Sequence, residues 1–260
     1  MHASFRLSAS FMPARLLALG LVCVLLAACA ARVTPVDPGR ADAVWQSMLG
    51  RAPAKAEPYR DTLSLRFGTE GSTRRVTALI WGNGGDSLRL DVRAGVGATI
   101  AMLSQQEDHF LLYAPMEEKA WFHEGATSPL LRLGLPLPIT LFRLEALLHG
   151  RHAEVFGASF LRCQGVKDGI EYELEEGMGG RLTVSADGLP VRWQDDSWRI
   201  EFSHEEDGSL KRLDLANIKG EKGIVLVRQR EHPAPFDEAQ MRLELPEGTR
   251  LAPLSDMRRG

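Results

Sequence analysis

From Arg60 onward, apolar and polar residues alternate with a period of two along most of the chain, which is the pattern of strands that bury one face. Residues 61–67 set Leu63, Leu65 and Phe67 against Thr62, Ser64 and Arg66. Residues 75–81 set Val76, Ala78 and Ile80 against Thr77, Leu79 and Trp81, and residues 87–93 set Leu88, Leu90 and Val92 against Ser87, Arg89, Asp91 and Arg93. Gly82-Asn83-Gly84-Gly85 links the second and third of these as a hairpin turn, because its residues accept positive φ. Runs at 98–104, 109–113 and 119–123 extend this to a six-strand meander. After a break the alternation returns at 170–174, 182–184, 198–203, 210–215, 223–228 and 241–245, with turns at Asp187-Gly188, Asp207-Gly208 and Lys219-Gly220. About eleven to thirteen short strands are predicted.

Two segments keep a period near 3.6 instead. Residues 42–49 read as a short helix with Asp42 as N-cap, Gly50 just past its end, and Trp45, Met48 and Leu49 on one face. Residues 127–150 are leucine-rich with three prolines. Pro138 suits the first turn of a helix to about Leu148, striped by Leu141, Leu144 and Leu148 and by Ile139, Phe142 and Ala146. With only Arg143 and Glu145 charged, that helix is expected to be buried.

The expected fold is mainly β with few helices: a curved antiparallel sheet forming an incomplete, half-open β-barrel with a helical lid or plug. The strands are short and carry charges on one face, which excludes a membrane barrel and puts that face in water. Leu65, Ile80, Leu90, Trp198 and Phe202 then point inward, with Trp45, Leu141, Phe142 and Leu144 across the mouth. Those nine residues are the candidate wall and lid of a cavity suited to acyl chains. Periodicity does not decide whether the interior is hollow or filled.

The N-terminal stretch belongs to no domain. Residues 1–15 carry Arg6 and Arg15 without an acid, residues 16–28 are apolar, and small residues lead to Cys29, as in a secretory signal peptide. The apolar run is shorter than the ~20 residues needed to span a bilayer. Leu26-Ala27-Ala28-Cys29 resembles the lipobox of bacterial lipoproteins, which implies lipidation of Cys29 after removal of residues 1–28. Several acyl chains make such an anchor stable where one is marginal. By the sorting rule of such lipoproteins, Ala30 points to the outer membrane. Residues 29–40 then form a tether, 41–250 a single β domain and 251–260 a C-terminal tail.

The formal net charge of −3 falls to −5 once Arg6 and Arg15 leave with the leader. This mixed, weakly acidic balance argues against nucleic acid. Cys23 leaves with the leader and Cys29 is taken by lipid, so Cys163 has no disulfide partner and reads as a small buried hydrophobe.

No residues assemble into an active site or a metal site, and no cofactor is expected. His204-Glu205-Glu206-Asp207 reads as a solvated acidic turn, since neighbours on a strand diverge. Asp195-Asp196 is a turn, and His149 and His152 read as C-terminal caps of the preceding helix. Gly82 to Gly85 lack the lysine of a phosphate loop, and no serine sits in a nucleophile elbow. Trp193 and Trp198 are core or cavity wall.

The order of lipobox, short helix, six-strand meander, Leu/Pro-rich insertion and second meander resembles the LolA/LolB lipoprotein-localisation family. Further points of likeness are Trp81-Gly82, Leu88-Arg89-Leu90 and Ala94-Gly95-Val96-Gly97. Leu133-Gly134-Leu135-Pro136-Leu137-Pro138, Leu147-Leu148-His149-Gly150 and the closing Leu243-Glu244-Leu245-Pro246 complete them. The resemblance implies a hydrophobic cavity for the acyl chains of lipoproteins, received from a periplasmic carrier and released to the outer membrane. It also implies that Val96 sits on a membrane-facing loop, although valine replaces a bulkier apolar residue of the family pattern. A monomer anchored in the outer membrane and facing the periplasm follows, LolB-like and without enzymatic activity. The alternative is a structural or assembly lipoprotein that docks on an envelope partner without ligand. A hydrolase has only scattered histidines and acids behind it.

Overall fold

The computed structural model describes residues 35–52, 57–85, 87–95, 97–125 and 138–257. Among them, fourteen strands form one curved sheet that does not close on itself. The first meander comprises β1 (Tyr59–Thr69), β2 (Ser72–Gly82), β3 (Ser87–Arg93), β4 (Thr99–Gln106), β5 (His109–Ala114) and β6 (Lys119–Glu124). The second comprises β7 (Phe160–Val166), β8 (Gly169–Leu174), β9 (Arg181–Val184), β10 (Pro190–Gln194), β11 (Trp198–His204), β12 (Leu210–Asn217) and β13 (Lys222–Glu231). The two halves join where β13 pairs antiparallel with β1, and the short β14 (Arg250–Pro253) pairs parallel with β6. The open edges are therefore β7 and β14.

The inner face is apolar as the alternation requires. Val76, Ala78 and Ile80 on β2 and Leu88, Leu90 and Val92 on β3 are buried in one cluster that continues through Leu182, Val184, Ile200, Leu213 and Val225 of the second half. Among the described residues four helices accompany the sheet: α1 (Pro38–Leu49), α2 (Leu141–Leu148), α3 (His152–Phe156) and α4 (Glu238–Met241). α1 buries Ala41, Val44, Trp45 and Met48, an i, i+3, i+4, i+7 stripe, against β7 and β8. Trp45 packs on Phe160 and Tyr172 at centroid distances of 5.3 and 5.0 Å and donates from Nε1 to Ala158 O at 3.0 Å. Tyr172 in turn donates to Ala41 O at 2.8 Å.

Several boundaries differ from the sequence expectation. α1 starts at Pro38, within the expected tether, because Asp37 caps it by accepting from Arg40 N at 2.9 Å; Asp42 lies inside the helix. Gly50 ends it with φ −72°, not in the left-handed conformation. Thr140, not the Pro138 turn, caps α2, which begins at Leu141. Residues 242–249 form no strand, so the expected strand at 241–245 is replaced by the last residue of α4 and a loop. The expected tail instead supplies most of β14. β7 and β10 lack clean alternation and were not expected. β7 shows two exposed residues in succession, Leu161 and Arg162, and carries the free, half-buried Cys163, whose thiol is pushed up by burial and then by Asp42.

The expectation of a wet outer face also fails on β3, where Arg89 and Asp91 are buried. The segment after β13 crosses that face and buries Phe236, Met241 and Leu243. Asn83 holds it at both ends of an amide pair with Phe236, donating to its O and accepting from its N at 2.9 Å each, and Arg89 donates to Arg242 O at 2.6 Å. A second apolar cluster, Tyr113, Ala120 and Leu243 with Met102, Leu111 and Leu245, forms beneath it.

Candidate functional site

At one end of the sheet, β12 and β13 part company. Their pairing runs from Ala216–Lys222 to Arg212–Leu226 and stops, while β13 continues along β1 to Glu231. Both strands are bulged there. Arg228 is an extra residue of β13 opposite Thr62 and Leu63, and Lys211 is an extra residue of β12 opposite Ser203 and His204. Bulges twist a strand locally and re-aim its side chains. The fork opens a cleft of about 870 Å³ whose walls include Ser209 and Leu210 on one side and the consecutive Val227, Arg228, Gln229 and Arg230 on the other. Leu147 to His152, from the end of α2 to the start of α3, and Arg51, after α1, complete the rim.

Charged groups lie buried beside the cleft. Glu145 of α2 is almost wholly inside the protein and accepts from Arg151 Nη1 at 2.8 Å and again from Nη2; Arg151 also donates from Nε to Glu154 at 2.7 Å. Asp61, on the inner face of β1, is fully buried. His149 Nε2 lies 3.3 Å from Asp61 Oδ2, within ion-pair distance but out of line for a hydrogen bond, and neither carboxylate oxygen has a hydrogen-bond partner among the described residues. Tyr59 stacks on His149 at 4.4 Å, and burial, then Glu145 and Asp61, push its hydroxyl well above the usual tyrosine range.

Two more histidines face the same region. His152 contacts Met48 O through Nδ1 at 3.0 Å, tying α3 to the end of α1, and burial lowers its pKa. His204, at the end of β11, is pushed down to about 4 by burial, then by His152 and Arg51. Unfolded histidine titrates near 6.5. Above that value both states are neutral and the pair costs nothing. As the pH falls from about 6.5 towards 4 the unfolded chain takes up protons that the folded one refuses, so stability is lost in that window. A decrease of about 1–2 kcal/mol is expected after allowing for the solvent that reaches His204. Urea unfolding at pH 7.5 and 4.5 measures it, and His204→Gln should flatten the slope.

The nine residues expected to surround an interior cavity do not meet at this cleft. Trp45, Leu65, Ile80, Leu90, Leu141, Leu144 and Phe202 are buried in the continuous apolar cluster, with Phe142 and Trp198 partly buried against it. None of them lines the cleft. Trp193 is core and donates from Nε1 to Gly179 O at 2.7 Å. Asp195 does make a turn, accepting from Ser197 N and Trp198 N at 2.7 and 2.6 Å. The turn at Glu205 to Gly208 also exists, but His204, Glu205 and Asp207 all line the cleft, because β11 ends at His204 and the turn that follows is not bound by strand alternation. His149 is the C-cap residue of α2, its backbone N–H donating to Glu145 O at 3.1 Å, while the imidazoles of His149 and His152 reach Asp61 and Met48 O. Arg51, Arg228 and Arg230 were not singled out from the sequence. A faint signal was present in the run Val227-Arg228-Gln229-Arg230, where alternation ends while the strand continues. Cys29 and Val96 lie outside the described residues.

No family model matches the chain, and no curated protein does. Among solved structures, a LolA superfamily protein from Nitrosomonas europaea is 10% identical with a TM-score of 0.50, covering 78% of this chain and 97% of that one. A DUF1329 family protein from Desulfovibrio piger is 12% identical with a TM-score of 0.50, covering 80% of this chain and 98% of that one. The chain thus has a LolA-like open-barrel fold.

Proposed function

We propose that this protein is a LolB-like lipoprotein, anchored in the outer membrane through acylated Cys29, that binds lipoprotein acyl chains on the inner face of its sheet and helps to localise them. The observation behind this reading is the inner face itself. An unclosed sheet turns aliphatic and aromatic residues inward from both halves, with α1 and α2 laid on it. An acyl chain needs such a surface and gains about 0.8 kcal/mol per buried methylene. In this reading α1 and α2 act as the lid. Trp45 and Leu144 occupy the path that a chain would take, so binding requires them to move. The turn between β3 and β4, which contains position 96, faces the membrane, and a periplasmic carrier delivers the cargo.

The test places a photo-crosslinking residue at Leu144 or Phe202 in cells, with the exposed Arg199 of β11 as control. Acylated adducts from the interior positions and none from Arg199 are expected. A lack of lipid or lipoprotein adducts at both interior positions would refute cargo binding. Cys29→Ser should also abolish incorporation of labelled palmitate.

A second reading, a lipoprotein scaffold without ligand, is favoured by the continuity of the core, in which all nine expected wall and lid residues pack into one cluster. It predicts partner capture without any acyl adduct.

A further inference from the structure

The cleft at the fork of β12 and β13 holds its charges unevenly. Of its carboxylates, Glu205 meets Lys211 at 3.2 Å and Asp207 accepts from Ser209 N at 2.8 Å, while Glu57 is exposed. Of its arginines, Arg151 is neutralised by Glu145 and Glu154. Arg51 instead donates to the carbonyls of Gly188 at 3.1 Å and Asp187 at 2.5 Å, and Arg230 donates to Leu210 O. A guanidinium tied to a neutral carbonyl is fixed in place but keeps its full charge and spare donors, which is what a planar anion requires. Arg228, presented by the bulge, makes no ion pair among the described residues and is exposed. Beside these cations lie Leu148, Leu210 and Val227.

We propose that this cleft binds the anionic head of an amphiphile, a phosphate or carboxylate, with Arg51, Arg228 and Arg230 holding the head and Leu148, Leu210 and Val227 meeting the first methylenes. The tail part of this inference rests on the acyl-binding reading above; the anion grip does not. The two bulges and the end of β12–β13 pairing build the site, since a regular ladder would point neighbouring residues to opposite faces. Burial first, then His152 and Arg51, lowers the basicity of His204 at the edge of this cleft, so an anion bound beside it would raise that basicity again.

The experiment titrates the full-length protein, held in a non-ionic amphipol, with dodecyl phosphate, dodecyl maltoside and inorganic phosphate, each followed by calorimetry. Dodecyl phosphate should bind more tightly than the maltoside, and Arg228→Gln should weaken it by about tenfold or more while leaving the maltoside unchanged. The His204 titration, followed by NMR, should move upward when dodecyl phosphate is bound. Arg230→Gln removes the bond to Leu210 O and so disturbs the fork, and Arg228→Gln therefore decides the matter. Equal binding of both alkyl ligands, insensitive to Arg228, overturns the anion grip and leaves acyl binding standing. Phosphate binding lost in Arg228→Gln, with neither alkyl ligand bound, upholds the grip for a free anion and removes the acyl reading. Binding of none of the three overturns the site.

Discussion

Trp45→Ala should lower stability by about 3–5 kcal/mol, the range for removing a large aromatic side chain from a close-packed interior. The residue is 1% exposed, touches Phe160 and Tyr172, and donates to Ala158 O, so the substitution leaves a cavity and an unpaired carbonyl together. The loss falls on the docking of α1. Tyr172 also holds that helix through Ala41 O, and His152 holds its end through Met48 O, so early exposure of α1 to protease is expected before global unfolding. Urea denaturation with limited proteolysis measures both effects. The same variant bears on function: if α1 covers an acyl path, the vacated volume should raise affinity for a fatty acid even as the fold weakens. A destabilised variant with unchanged fatty-acid affinity would count against α1 as a lid.

Arg151→Met should be comparably severe, at about 3–5 kcal/mol, because it strands Glu145 as an uncompensated charge in the interior. Glu145 approaches Arg151 through both oxygens and is buried along with most of α2. Burying an ion pair is costly in itself, so the pair is not where net stability originates. The double variant Arg151→Met with Glu145→Leu should therefore regain most of the loss, and a double-mutant cycle by chemical denaturation would show coupling well above 1 kcal/mol. A mild effect of Arg151→Met alone would mean that water reaches Glu145.

Strand existence was legible wherever one face met the core and the other met solvent. The six strands of the first meander fall where Leu63, Ile80, Leu90 and their alternating neighbours placed them. The failures share one physical cause: a residue whose environment is set by something distant in sequence. Arg89 and Asp91 look like solvent-facing residues until the segment at Phe236 to Leu243 covers them. β14 has no alternation because an edge strand paired parallel to β6 needs none. Asp37 reads as part of a tether because Pro35 and Pro38 flank it, although Pro38 at the first helical position is favourable to the helix that Asp37 caps. The aliphatic and aromatic residues expected to form a cavity wall lie on the inner face, while the cleft lies at the fork, where bulges at Lys211 and Arg228 interrupt the pairing. A bulge is a mismatch between two strands, and neither sequence alone records it.

The seam between β1 and β13 has a consequence for the order of assembly. Thr62 pairs with Gln229, 167 positions further along, so β1 keeps one side unsatisfied until nearly the whole chain is present. Such distant closure is slow, because its entropy is spent before any contact repays it. Until then the first meander waits as a partial wall with a bare rim and greasy lining, the kind of species that aggregates or recruits a chaperone. Refolding from denaturant should be correspondingly slow and concentration-sensitive, and truncation before Lys222 should yield no soluble product.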